Sequence, residues 1–300
     1  MPKASFTSTD NRQMEVEYET FGDPSHPALL MIMGYSAQMT AWPEGFIKKL
    51  ASAGYYVIRF DNRDCGLSTH LDGVFVDVGP VIAAALFDDP IPPIPYSLVD
   101  MAGDAVALLD HLGIERAHIA GMSLGGMVSQ VVAYTHPHRV MTLTSISSQP
   151  GDPEVGQPTM EASAVIFEEA PADMSREDYI ESSLNWQVWQ SQKYRDDNLS
   201  RTAAALAYDR AFYPEGATRQ LAAVYGTGRR HDQVATISVP TLVIHGTDDT
   251  LITPSGGERT AELIPNSTLV MVDDMGHDLP QPLWPLLTNA IVDHLARVQA

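Results

Sequence analysis

The stretch HIAGMSLGGMVSQ, residues 118–130, constrains this chain more than any other. A small apolar run meets a lone serine with glycine at both second neighbours, Gly121 and Gly125, and then continues as a helical pattern. Gly-x-Ser-x-Gly between a buried strand and a helix is the nucleophile elbow. The turn is so tight that side chains two residues from the serine would collide, and the serine takes a strained backbone conformation. Ser123 is thereby raised above the end of its strand. The N–H of Leu124 falls at the start of the following helix, where unsatisfied amides and the helix dipole favour a negative oxygen. Any fold for this chain must therefore end a strand and begin a helix at residue 123.

Other short apolar runs stop abruptly in Gly, Asp or Ser: ALLMIMG (28–34), YYVIRFD (55–61), AHIAG (117–121), VMTLTSIS (140–147), TLVIHG (241–246) and STLVMVD (267–273). Continuous apolar runs of this length suit strands buried on both faces, as in a parallel sheet between helical layers. Helical patterns alternate with them. Residues 97–112 open with the capping pair Ser97 and Asp100 and set Leu98, Met101, Ala105, Leu108 and Leu112 on one face. Residues 283–298 repeat the pattern, and 9–23 read as an antiparallel edge ribbon. The expectation is an α/β fold with a mostly parallel central sheet flanked by helices.

Past PGDPEVGQP the character changes. No strand-like run follows until Val239, and helical patterns fall near 159–169, 176–189, 197–213 and 215–226, the second opened by Ser175 with Asp178. This predicts a core built from 1–150 and 237–300, with 151–236 inserted as a helical cap.

A serine hydroxyl is a weak nucleophile and needs a base, itself oriented by a carboxylate. TLVIHGTDDTLITP sets Asp248 and Asp249 just past one predicted strand, and STLVMVDDMGHDLP sets His277 just past the next. Carboxyl ends of parallel strands converge on one rim, so these loops meet the serine despite their separation in sequence. The other histidines lie in loop, surface or helix positions, and His245, at its strand end, reads as structural.

The bulk composition excludes several classes. With 18 basic and 38 acidic residues the net charge is −20, which repels phosphate backbones and anionic membrane surfaces, so no nucleic-acid partner is expected. The single cysteine, Cys65, forms no intrachain disulfide and supports no cysteine-based metal cluster. The longest apolar run, VGPVIAAALF at 78–87, is about half what a membrane span requires. Without a secretory pattern at its start, the chain is expected in the cytoplasm with no membrane insertion. Whether it is a monomer or a homo-oligomer is left open.

At these motifs the chain resembles the α/β-hydrolase superfamily, and within it the serine esterase branch of the aclacinomycin methylesterases. LLMIMGYSAQMTAWPEGFIKKLASAGYYVIRFDNRDCGLST, YSLVDMAGDAVALLDHLGIERAHIAGMSLGGMVSQ, HGTDDTLITP and VDDMGHDLP carry the resemblance, which spans most of the core but not the cap. It implies Asp249 rather than Asp248 as the acid, because the family's acid stands three residues beyond the strand-end glycine. It also implies the Tyr35 backbone N–H as a second oxyanion donor, with Gly34 letting the backbone approach substrate, and a loop braced by Arg63 and Asp64. Residues 71–97 are longer than that branch needs, so its polycyclic substrate is not carried over.

The expected chemistry is cleavage of a small-molecule carboxylic ester through a Ser123–His277–Asp249 acyl-enzyme mechanism, with Tyr35 and Leu124 amides as the oxyanion hole and no metal or organic cofactor. The same triad could instead cleave C–C bonds, lactones or thioesters, or act as a perhydrolase. A hydrolase-like ligand receptor with negligible turnover is the alternative of another class. Gly34, Met39, Trp42, Trp186, Trp189, Tyr208 and Phe212 are the candidate substrate contacts.

Overall fold

The computed structural model describes residues 2–168 and 170–298. Its strands are β1 (Lys3–Thr7), β2 (Gln13–Phe21), β3 (Ala28–Ile32), β4 (Tyr56–Phe60), β5 (Ala117–Met122), β6 (Val140–Ile146), β7 (Thr241–Gly246) and β8 (Ser267–Val272). Among the described residues they form one eight-stranded sheet in the order β1-β2-β4-β3-β5-β6-β7-β8. β1 and β2 pair antiparallel and β2 joins β4 antiparallel; the remaining pairs are parallel. The ribbon read at 9–23 begins earlier than its sequence suggested, because its outer strand is Lys3–Thr7, where Ala4 is fully buried and the apolar signal is sparse.

All residues of β3, β5, β6 and β7 are buried. Alternate side chains feed two layers: Leu30 and Ile32 face one core, Leu29 and Met31 the other. The first core takes Met101 and Leu108 from α3 (Leu98–His111) and Val128 from α4 (Leu124–Thr135). The second takes Phe46, Ile47 and Leu50 from α1 (Glu44–Ser52) and Leu287 and Ile291 from α11 (Trp284–Leu295). Each such side chain contributes about 1.5–3 kcal/mol by burial. α3 begins with a reciprocal capping box between Ser97 and Asp100, which satisfies two otherwise orphaned donors.

The 78–87 run is a helix, α2 (Val78–Phe87), and it packs on α8 (Glu215–Thr227) of the insertion. Between β6 and β7 the chain forms α5 (Met160–Ile166), α6 (Arg176–Ser182), a 3-10 turn at Ser183–Val188, α7 (Asp197–Arg210), α8 and the short α9 (His231–Val234). α10 (Ser255–Leu263) then connects β7 to β8. Residue 169, at the end of the first helical pattern read in this region, lies outside the described residues. The two ends of the insertion meet: the Arg230 N–H donates to Pro150 O at 3.1 Å and its guanidinium to Gln149 O at 2.9 Å. No helix among the described residues is long and apolar enough to cross a membrane.

Candidate active site

Ser123 sits between β5 and α4 with φ 58° and ψ −124°, a left-handed conformation that costs on the order of 1–3 kcal/mol. Its amide donates to Ile146 O at 2.9 Å, and its carbonyl accepts from Ser148 Oγ at 2.8 Å, which hold the turn. A Cβ at Gly121 would strike the Gly125 carbonyl, and one at Gly125 would strike Ile32 O. The glycine spacing is thus a steric necessity. At Gly34 an added Cβ would stand 3.0 Å from the Ser123 Cβ, so the loop after β3 passes directly over the serine.

That loop turns at Tyr35 and Ser36, closed by the Ala37 N–H on Gly34 O at 3.3 Å. The loop after β4 supports it: Asp61 Oδ1 accepts from the Met39 N–H at 2.7 Å, and Asn62 Nδ2 donates to Met33 O at 2.9 Å. Arg63 makes a bidentate pair with Asp104 at 2.6 and 2.7 Å, and Asp64 another with Arg219 of α8 at 2.9 and 2.8 Å. Burial pushes the Cys65 thiol well up, which leaves it a poor nucleophile at neutral pH.

Asp249 follows β7 and His277 follows β8. Asp249 Oδ1 accepts from the Leu251 and Ile252 N–H groups at 3.0 and 2.9 Å, while Oδ2 lies 2.7 Å from His277 Nδ1. A carboxylate only accepts, so this contact assigns the imidazole proton to Nδ1 and leaves Nε2 as a base. Asp248 turns elsewhere: its N–H donates to Met275 O at 2.9 Å and its side chain accepts from Thr247 Oγ1 at 3.3 Å. His245 is fully buried, bonded to Ile252 O at 2.7 Å, and burial lowers its pKa. It supports the acid loop as a neutral ring. Among the described residues neither Ser123 Oγ nor His277 Nε2 has a hydrogen-bond partner.

The insertion rests directly on the histidine loop. The His277 N–H donates to Trp189 O at 2.6 Å, the Ser191 N–H to Asp278 Oδ1 at 3.1 Å and Ser191 Oγ to Asp274 O at 2.6 Å. Thr250, beside the acid, donates to Val188 O at 2.8 Å. Burial pushes the Asp278 carboxyl up to about 6. Asp278 is plain in the sequence beside His277, but its tie to Ser191 carries no sequence signal. Gln220, which bonds the Ser36 N–H at 2.8 Å, is equally silent.

The candidate substrate contacts divide. Gly34 adjoins the serine, as described, and Trp189 joins the site through its carbonyl. Met39 and Trp42 are instead fully enclosed, Trp42 stacked on Phe46 at 6.3 Å, so in this conformation they pack the core rather than face a substrate. Met39 opens the 3-10 turn Met39–Ala41 and Trp42 caps its end. Trp186, Tyr208 and Phe212 gather around Tyr179, with Tyr208 and Phe212 stacked at 4.7 Å and the Tyr208 hydroxyl on Met174 O at 2.9 Å. This cluster binds α6 to α7. Among the described residues no group of three or more His, Cys, Asp or Glu side chains is placed to hold a metal ion.

A family model described as the alpha/beta hydrolase fold matches residues 27–179 and 173–280. Rhodomycin D methylesterase DauP of a Streptomyces species is 28% identical, over 92% of this chain and 93% of its own. The 3-oxoadipate enol-lactonase 2 of Acinetobacter baylyi is 25% identical over 91% of each. Among solved structures, the esterase RhEst1 of a Rhodococcus species superposes with a TM-score of 0.73 over 100% of both chains at 20% identity, a likeness of fold.

Proposed function

Since the chain belongs to the α/β-hydrolase family, we propose that it hydrolyses small-molecule carboxylic esters through an acyl-enzyme formed on Ser123. The observation that supports this reading is the 2.7 Å contact of Asp249 with His277 past the carboxyl ends of β7 and β8, strands that run parallel to the β5 whose end carries Ser123. His277 Nε2 takes the Ser123 proton as the hydroxyl attacks the ester carbonyl, and the carbonyl oxygen becomes an oxyanion held by the Tyr35 and Leu124 amides. The same imidazole returns the proton to the departing alcohol. It then deprotonates water, whose attack releases the acid and restores the serine. Asp249 fixes the Nδ1–H tautomer and stabilises the imidazolium.

In this proposal residues 151–236 act as a cap over the rim, with α2 beside it, and together they select the substrate. The methylesterase relative supports an open-chain ester, whereas the enol-lactonase relative supports a cyclic one. A panel of p-nitrophenyl esters and lactones ranks the two. Ser123→Ala is the decisive variant: turnover of p-nitrophenyl acetate falls by on the order of 10⁶, and labelling by a fluorophosphonate disappears. Retained turnover in a folded, pure preparation places the chemistry elsewhere.

A further inference from the structure

We propose that Gln220, on α8 of the insertion, is a positioning residue for the oxyanion turn: it holds the Tyr35–Ser36 peptide in one of its two orientations. This rests on the reading of the Tyr35 amide as an oxyanion donor.

The turn from Gly34 to Ala37 places Ser36 at φ 53°, in the left-handed region. With positive φ at the third position and not at the second, since Tyr35 is not among the positive-φ residues, the turn matches type II, which ordinarily takes glycine there. A serine Cβ makes that conformation costly. The competing type I turn differs mainly by rotation of the central peptide and returns Ser36 to negative φ, so serine by itself favours the wrong one. Gln220 opposes this preference. Its Oε1 accepts from the Ser36 N–H at 2.8 Å, and its Nε2 donates to Arg63 O at 2.8 Å. Both partners are main-chain groups with fixed roles, so the orientation of the amide is settled by chemistry.

Gln220 is fully buried. Rotating the central peptide would strand its Oε1 without a donor in a place water does not reach. The rotation would also swing the Tyr35 carbonyl dipole through about half a turn beside the oxyanion site. Neighbouring ties act further along the chain: Gln38 Nε2 donates to Ala207 O and Ala211 O at 2.7 and 2.8 Å, and Gln38 Oε1 accepts from Arg210 at 2.6 Å. They fix the segment after the turn, whereas Gln220 acts on its central peptide through the Ser36 N–H.

The test measures kcat and KM for p-nitrophenyl acetate in the full-length enzyme. Gln220→Met is expected to lower kcat by about 10- to 100-fold, less than outright loss of an oxyanion donor, with KM held within about 2-fold. Adding Ser36→Gly should recover at least about 5-fold of that loss, because glycine takes the left-handed region without steric cost. A purely structural role for Gln220 gives no such rescue. Wild-type kcat in Gln220→Met, or a loss that Ser36→Gly leaves untouched, overturns the proposal. Should the methionine variant fail to fold, Gln220→Asn, one methylene too short to bridge both partners, carries the same comparison. Loss of turnover in Ser123→Ala beside wild-type kcat in Gln220→Met sinks this inference alone, whereas full turnover in Ser123→Ala sinks the reading beneath it.

Discussion

Every residue of β5, β6 and β7 is buried, whereas α7, with 14 residues, buries only Ser200 and Ala204. The central sheet is assembled by apolar burial, which is large but has no direction. The insertion meets the core through directed polar contacts: Arg219 with Asp64, Arg210 with Asp61 at 2.7 Å, Gln220 with the Ser36 amide, and the Trp189 carbonyl with the His277 amide. Buried ion pairs add little net stability over an apolar replacement, but they are severely punished when half is removed. The contrast teaches that the sheet determines whether the chain folds, while the polar seam determines where the insertion sits relative to Ser123 and His277.

The largest expected effect tests the core half of the comparison. Asp249→Asn should lower kcat by about 10⁴ through the wrong imidazole tautomer, while Asp248→Asn stays within about 5-fold. Greater damage from the Asp248 change would reverse the assignment. At the seam, Arg219→Met leaves the Asp64 carboxylate buried without its partner, and urea unfolding should register a loss of about 3–5 kcal/mol. A loss no larger than that of a surface pair would mean that the seam is not what fastens the insertion.

Asp278 sharpens the same point through pH. Its folded pKa of about 6 lies above the ordinary 3.8, so its contribution to stability is fully present below the ordinary value and is lost as pH rises through about 6. Asp278→Asn removes that titration. The stability of the variant relative to wild type should therefore improve by about 1 kcal/mol between roughly pH 5 and pH 7. A flat difference would refute the assignment. The smallest effect belongs to the insertion's outer surface, where Arg176 pairs with Asp209 at 2.6 Å with both side chains well exposed. Arg176→Ala should leave the chemical denaturation midpoint unchanged within error, in contrast to the Arg219 change.

Legibility in the sequence follows the same division. Strands such as TLVIHG are unbroken apolar runs because both faces are covered, and the elbow glycines announce a steric demand that no other residue meets. The adjacency of Asp249 and His277 follows from strand ends meeting at one rim. The seam left no such trace. Gln220 lies within an ordinary amphipathic helix, and its partners Ser36 and Arg63 are more than 150 positions away, so no local period points to them. Met39 and Trp42 show a related limit: nearness in sequence to the turn at Tyr35 and Ser36 does not reveal that both side chains are fully enclosed. The first strand was displaced because a short edge strand with one buried face gives a weak pattern.

The chain leaves β6 and returns to β7 through one stapled point, where Arg230 ties back to Gln149 and Pro150. Since β6 and β7 pair directly in parallel register, the scaffold closes on itself however much polypeptide is threaded through that gate. Lengthening the excursion twofold adds only about 0.6 kcal/mol of closure entropy. The length and content of the excursion can thus change without disturbing the sheet: a different segment grafted at this junction inherits the same paired strands on either side.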